Sequence, residues 1–237
     1  MLERLGVSMF DREAIDVAPV RAQAGRVTAQ RGPPQADISR RVLDIVTASA
    51  ALIFFLPLML VISLLIFAQD GGSPIYSQMR IGLNGRRFPC LKFRSMIVGA
   101  DQRLQDLLEN NEGARVEWAH DHKIRNDPRI TRLGALLRKS SLDELPQLLN
   151  VLSGQMSMVG PRPIVEAEAV RYGHRFRSYC SVLPGITGLW QVSGRNNTSY
   201  RRRVALDHLF AQRPGLGIYL WILVKTAPAV LMRRGSY

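Results

Sequence analysis

The longest uniform stretch of the chain is apolar. From Ile45 to Gln69 there are 25 consecutive positions without a charged side chain, more than the ~20 residues one helix needs to cross a hydrocarbon core. Pro57 stands at the midpoint, where it removes a backbone donor and presses on the carbonyl one turn back. Each half would then be about 18 Å long, short of a core about 30 Å thick. Arg40 and Arg41 precede the stretch, and Arg80, Arg86 and Arg87 follow it. A spanning helix concentrates its cations on one side, whereas both flanks are basic here. A re-entrant helix-break-helix and a proline-kinked spanning helix fit these residues equally.

After this stretch the pattern shortens. Asp70-Gly71-Gly72-Ser73-Pro74 punctuates a turn, and Ile75–Ile81 and Arg87–Phe93 read as two short strands around Gly82–Gly85. Ala100 to about Trp118 carries Leu104, Leu107 and Leu108 on one face and predicts an amphipathic helix. Further helices are predicted from Asp127-Pro128 through Leu137, from about Ser141 to Leu152, and from about Arg201 to Phe210. Leu216 to Met232 is apolar but short and interrupted, which predicts an interfacial helix rather than a second span. Residues 1 to about 36 have no apolar period and end in Gly32-Pro33-Pro34, predicting a flexible tail that lacks the apolar core of a signal peptide. The predicted class is α+β, mostly helical. A tail over 1–36 is followed by a membrane segment over 37–70 and a small domain over 71–237 that closes on the interfacial helix.

Composition narrows the partners. A hydrophobic content of 46% supports a real core, although part of it belongs to lipid. The net charge of +13 comes from 32 Lys and Arg against 19 Asp and Glu, and after residue 69 there are 25 cations facing 13 acids. That excess favours anions. Only Lys92, Lys123, Lys139 and Lys225 are lysines; the arginine fork suits phosphate, and a base-composition bias of the genome would produce the same imbalance. Cys90 and Cys180 lie far apart with no C-x-x-C, so neither a disulfide framework nor a zinc site is indicated. No P-loop or G-x-G-x-x-G occurs, which removes the usual support for ATPases and dinucleotide enzymes.

The densest polar run is Leu137-Arg138-Lys139-Ser140-Ser141-Leu142-Asp143-Glu144-Leu145-Pro146-Gln147-Leu148. Ser141-x-x-Glu144 has the form of a capping box, with two acids at the positive end of a helix dipole. The same residues also suit a phosphate site, in which the helix end and nearby cations lower the carboxylate pKa and keep Asp143 ionised as a nucleophile. The neighbouring Glu144 could share a magnesium ion with substrate phosphates. Arg162, between Pro161 and Pro163, is positioned to meet a phosphate with its fork, or is simply a solvated residue in a rigid turn. Lys92 and Arg94 form a third basic element.

Four ordered motifs carry a resemblance: Lys92-Phe93-Arg94-Ser95-Met96, Ser141-Leu142-Asp143-Glu144-Leu145-Pro146-Gln147, Met156-Ser157-Met158-Val159-Gly160-Pro161-Arg162-Pro163, and Pro184 through Arg195. From about residue 37 onward the chain resembles the bacterial sugar transferases, the monotopic phosphoglycosyl transferases. It is most similar to the short exopolysaccharide-initiating members, down to the Arg234-Gly235-Ser236-Tyr237 ending. The resemblance implies transfer of a sugar 1-phosphate from a UDP-sugar to undecaprenyl phosphate with release of UMP. It implies that Asp143 is the nucleophile, that Glu144 binds Mg²⁺, and that Arg138, Arg162 and Lys92 bind phosphate. It also implies that Pro57 breaks a re-entrant helix, which tips the balance away from a span. The catalytic domain and both termini would then lie on the cytoplasmic face of the inner membrane, among its lipids.

The chain departs from the family pattern at Gln155 and Tyr219, where an acidic residue is common; this bears on loop anchoring or specificity rather than on the Asp-Glu pair. Galactose is the expected sugar and glucose the next, and packing in a membrane is compatible with a homodimer. Other readings are a glycosyltransferase acting by direct displacement and releasing UDP, and a scaffold in which Asp143 and Glu144 tolerate replacement. A membrane-anchored nucleic-acid binder finds no motif to support it.

Overall fold

The computed structural model describes residues 38–121, 124, 127–194, 198–212 and 215–231. The tail over 1–36, Asn196-Asn197 with Arg195, and the Arg234–Tyr237 ending lie outside the described residues. The apolar stretch forms one helix, α1 (Ile38–Asp70), with Pro57 in its interior. The two halves expected on either side of Pro57 are thus a single helical element. Strongly apolar sequence on both sides sustains the helix past a residue that removes only one of its hydrogen bonds. Among the described residues it is the one helix long and apolar enough to cross a membrane, with a mean hydropathy of 2.9 in its best window.

Helix α1 does not stand apart from the rest of the chain. Arg41 near its start donates to the carbonyls of Val151 (2.7 Å) and Leu152 (2.9 Å). Ala48 packs with Phe88, Cys90, Leu148 and Val151, and Met59, Ile62 and Ile66 pack with Phe93 and Leu137. At its far end Asp70 pairs with Arg94, which also reaches the Ile66 carbonyl at 3.4 Å. The opposite side remains apolar and exposed, including Ile53, Phe54, Leu60, Leu64 and Phe67.

Strands β1 (Ile75–Ile81) and β2 (Arg87–Phe93) form the expected antiparallel hairpin, in register Tyr76↔Lys92. The single helix expected over Ala100–Trp118 is two, α2 (Ala100–Asn110) and α3 (Glu112–Asp121). The break is at Asn111, whose side chain accepts from Ala114 N at 2.9 Å and so starts a new helix. Helix α4 (Arg132–Ser140) begins later than Asp127-Pro128, because Thr131 is its cap and accepts from Gly134 N at 2.8 Å. Asp127 instead forms a two-pronged ion pair with Arg129 in the preceding turn, at 2.8 and 2.7 Å.

A 3-10 turn over Leu142–Glu144 leads to α5 (Gln147–Leu152) and then β3 (Ser157–Val159). Helices α6 (Glu166–Tyr172) and α7 (Phe176–Tyr179) precede β4 (Gly185–Thr187), which pairs with β3 in parallel. Helices α8 (Leu189–Val192), α9 (Tyr200–Gln212) and α10 (Leu216–Leu231) complete an α+β, mostly helical fold. Helix α10 buries Tyr219 and Ile222 against Val159 and Phe210 and leaves Leu220, Trp221 and Val224 exposed, Val224 at 71%.

Candidate active site

The way α4 ends sets the position of the candidate nucleophile. Ser141 takes a left-handed conformation (φ 60°, ψ 15°) and its backbone N–H closes on the carbonyls of Arg138 and Leu137. It therefore ends α4, in the manner of a left-handed C-terminal cap. The expected capping box is absent: the Ser141 side chain makes no cap hydrogen bond, and the chain enters a 3-10 turn. Pro146, which lacks an N–H, comes soon after, so a regular helix from 141 onward would lose a bond in its first turns. Asp143 and Glu144 consequently lie on a tight turn rather than on a helix N-terminus.

Strand β2 delivers Lys92 to that turn. Its backbone is fixed by Asn150 of α5, which accepts from Leu91 N (2.9 Å) and donates to Pro89 O (2.8 Å), standing in for a third strand. Asn150 also donates to Gln155 at 2.6 Å, so the neutral side chain at that departure from the family pattern anchors the turn after α5. Lys92 Nζ then lies 2.8 Å from Glu144 Oε1 and 3.5 Å from Asp143 Oδ2.

Arg162 arrives from the other side. After β3 the backbone of Gly160 runs so close to its neighbours that an added Cβ would lie 2.3 Å from the Leu183 carbonyl oxygen, a contact only glycine permits. Beyond it, Arg80 donates to the Pro163 carbonyl at 3.2 Å, and Ile81 N bonds to the Ile164 carbonyl at 2.9 Å. Held in this way, Arg162 Nη1 reaches Glu144 Oε1 at 3.2 Å. Lys92, Asp143, Glu144 and Arg162, chosen from sequence, are thus brought together. Arg138 stands slightly apart: its Nε donates to Ser95 Oγ at 2.8 Å, and its charge acts on Asp143 without a direct ion pair. Arg94 belongs to the α1 anchor rather than to the site.

The two carboxylates are electrostatically unlike. Burial would raise Glu144, but Lys92 and Arg162 more than offset it and bring its pKa down to about 2. Asp143, 8% exposed, is pushed up by burial and by its neighbour Glu144, with Lys92 opposing only in part. The lowering expected for Asp143 is therefore reversed, because the helix end is missing and the close contact of Lys92 goes to Glu144. Neighbouring carboxyls with diverging pKa values are a mark of divided roles. Both ion pairs of Glu144 use Oε1, leaving Oε2 without a protein partner among the described residues. Hard oxygen donors of this kind suit Mg²⁺, which takes one or two carboxylates together with substrate phosphates. No cluster of three or more metal-ligating side chains occurs among the described residues, so the site fits an ion completed by substrate and not a closed protein cage.

A pocket opens beside Asp143, lined among others by its neighbour Glu144 and by Arg80, Lys92, Gln147, Arg162 and Ile186. Arg80, Gln147 and Asn150 were not singled out by sequence reasoning. Arg80 stands between the apolar Met79 and Ile81 near the end of β1, and Asn150 is a polar residue inside an apolar helix, the only signals either one offers.

Residues 35–233 match the bacterial sugar transferase family. The chain belongs to this family. It is 49% identical over 204 residues to the exopolysaccharide production protein ExoY of Rhizobium meliloti, covering 86% of this chain and 90% of that protein. It is 48% identical over 198 residues to the undecaprenyl-phosphate galactose phosphotransferase of Salmonella typhimurium, covering 84% of this chain but 41% of the relative. The UDP-glucose:undecaprenyl-phosphate glucose-1-phosphate transferase of Caulobacter vibrioides is 39% identical over 209 residues, with 85% of this chain and 73% of the relative covered. The chain thus spans nearly all of the rhizobial protein and less than half of the Salmonella one.

Proposed function

We propose that this sugar transferase moves a hexose 1-phosphate from a UDP-sugar to undecaprenyl phosphate, releases UMP, and so starts an exopolysaccharide repeat unit. Galactose is the first choice of hexose and glucose the second, in keeping with the names of the relatives. The observation that carries the reading is the Asp143–Glu144 turn gripped by Lys92 and Arg162, with one carboxylate kept ionic and the other made more basic.

In the first half-reaction an Asp143 carboxylate oxygen attacks the phosphorus that bears the sugar. The bond from that phosphorus to the UMP oxygen breaks, and UMP leaves. Asp143 then holds the sugar phosphate as an acyl phosphate. In the second half-reaction a phosphate oxygen of undecaprenyl phosphate attacks the same phosphorus, the Asp143 bond breaks and the carboxylate is restored. Lys92 and Arg162 orient the diphosphate and oppose its charge, and Arg138 adds a positive field behind Asp143. Glu144 and the donor's phosphate oxygens would hold Mg²⁺, which supplies further charge neutralisation when bound.

The acceptor is a lipid, and the reading of membrane placement rests on α1. Its start is bonded to α5 through Arg41 and its end to Arg94 beside β2; both ends hold one domain, which supports a re-entrant helix bending at Pro57 over a straight span. The exposed apolar side of α10 supports an interfacial position. The site would then sit at headgroup level on the cytoplasmic face of the inner membrane. Cysteines placed near each end of α1 and probed with an impermeant reagent should react from one side only; reaction from opposite sides removes the re-entrant arrangement.

The deciding assay mixes purified protein, undecaprenyl phosphate and Mg²⁺ with a panel of UDP-sugars and quantifies UMP and UDP separately. UMP is the expected product. UDP would instead establish direct displacement by a glycosyltransferase.

A further inference from the structure

Gln147 has no role in the steps above, yet it sits in the wall of the same pocket as Lys92, Glu144 and Arg162. It is 2% exposed and begins α5. A carboxamide offers two N–H donors and an oxygen acceptor. The neighbouring buried amide finds partners: Asn150, one turn on in the same helix, uses both ends of its side chain. The Gln147 side chain makes no hydrogen bond to any described residue. Neither of its polar atoms is among the fully enclosed, unpartnered ones, so the carboxamide keeps access to the pocket that it lines, and its hydrogen-bonding capacity is open to whatever occupies that pocket.

The surroundings of the amide indicate the chemistry of that occupant. Arg80, Lys92 and Arg162 already supply cations to the pocket wall, and a phosphate oxygen, which only accepts, would face repulsion from the amide oxygen. A hydroxyl both donates and accepts, matching both ends of the amide. Position agrees with this. Gln147 lines the same pocket as Glu144, the chain neighbour of the nucleophile Asp143, and in an in-line displacement the leaving nucleotide departs away from the nucleophile. The group that stays on phosphorus, beside the nucleophile, is the sugar.

We infer that the Gln147 carboxamide hydrogen-bonds a hydroxyl of the transferred hexose, and thereby helps choose which sugar phosphate is moved. The inference rests on the proposed phosphosugar transfer and names a specificity contact within it. A site built to hydrogen-bond a hydroxyl discriminates strongly against a substrate lacking it, because its own polar group is then left unpaired.

The test uses the UDP-hexose that the wild-type protein turns over best, together with its four monodeoxy analogues at C2, C3, C4 and C6. UMP release gives kcat/KM for the wild type and for Gln147→Met, which keeps the length of the side chain and removes its hydrogen bonds. One deoxygenation should cost the wild type roughly 10- to 100-fold. Gln147→Met should lose a similar factor on the parent donor and respond to that same deoxygenation by less than about twofold. A wild type that treats all five donors alike overturns the inference without needing the variant to fold. An equal loss by Gln147→Met on every donor, with the wild type's deoxy pattern retained, also overturns it and assigns the amide to phosphate or to architecture. A wild type that yields no UMP from the parent hexose refutes the transfer itself, a failure distinct from a flat deoxy pattern with UMP released.

Discussion

Lys92 Nζ stands 2.8 Å from Glu144 but 3.5 Å from Asp143, so one cation serves two adjacent carboxylates unequally. A hydrogen bond at 3.5 Å is at the limit of usefulness. Glu144 is held as a permanent anion, and Asp143 retains the higher basicity that burial gives it. A more basic carboxylate is a better nucleophile once ionised.

That inequality sets the pH profile. A protonated Asp143 cannot attack phosphorus, so kcat/KM should fall on the acid side through a pKa above the ordinary aspartate range near ~4. Lys92 lowers Asp143, so Lys92→Met should shift the acid limb to higher pH as well as reduce the rate. Measuring kcat/KM from pH 4 to 8 for both proteins checks this; an acid limb that stays in place would mean that Lys92 does not act on Asp143.

Asp143→Asn separates activity from stability. UMP release should disappear, because the amide is not a nucleophile at this position. The raised pKa means that Asp143 favours the fold when protonated, a contribution present below its unfolded pKa and lost as pH rises through the folded one. At neutral pH the ionised group is therefore a burden, and its neutral isostere should raise the melting temperature. Thermal unfolding in detergent reads the shift, and a drop in melting temperature at pH 7 contradicts it.

Glu144 has the opposite sign. Its pKa is depressed from 4.5 to about 2, so its contribution is present above its unfolded value and is lost as pH falls toward 2. The shift corresponds to on the order of 3 kcal/mol. Glu144→Gln should destabilise the protein at pH 7 and converge with the wild type in acid, which denaturant titrations at pH 7 and pH 3 can establish. Equal destabilisation at both values would remove the ion pairs as the source.

Much of this arrangement is legible from local pattern. The β1–β2 hairpin reflects a glycine-bounded turn between two short strands, and the end of α1 at Asp70 reflects the close of an unbroken apolar run, although its start at Ile38 lies before that run. Asp143, Glu144, Lys92 and Arg162 are legible through motifs and charge. Side-chain competition for the backbone is harder to see: Asn111 splits one amphipathic period into two helices, and Thr131 rather than Asp127 starts α4. Contacts distant in sequence are not legible at all. Asn150 supports a strand 59 residues earlier, and the basicity of Asp143 depends on burial that no local pattern reports.

At Ser141 the local pattern and the fold disagree in a measurable way. A capping box would make Ser141→Ala cost ~1 kcal/mol. With Ser141 in a left-handed conformation and its hydroxyl making no cap bond, Ser141→Ala should cost less than ~0.5 kcal/mol. Ser141→Gly should be neutral to slightly stabilising, because glycine adopts φ 60° without steric penalty. Denaturant midpoints of the two variants distinguish the cases, and a loss of ~1 kcal/mol in Ser141→Ala would restore the capping role.

Asp44 ties the long apolar helix α1 to β3 and α10. It lies inside α1 at 2% exposure, and its Oδ1 accepts from Ser157 Oγ (2.9 Å), Met158 N (2.7 Å) and Tyr219 Oη (2.7 Å). One oxygen thus joins α1, strand β3 and helix α10, and Tyr219 supplies a donor where an acid would meet Asp44 as a second negative charge. Removing the acceptor strands three buried donors, so Asp44→Ala should cost about 3 kcal/mol or more. Asp44→Asn keeps an acceptor oxygen and should cost less, and Tyr219→Phe, which removes one donor, about 1–2 kcal/mol. Because β3 runs directly into the loop that presents Arg162, Asp44→Ala should also lower kcat/KM in membranes where the protein remains folded. Unfolding in detergent and UMP release from vesicles measure the two effects. If Asp44→Ala is as stable as Tyr219→Phe, the three bonds do not act together and the helix is held by its apolar contacts alone.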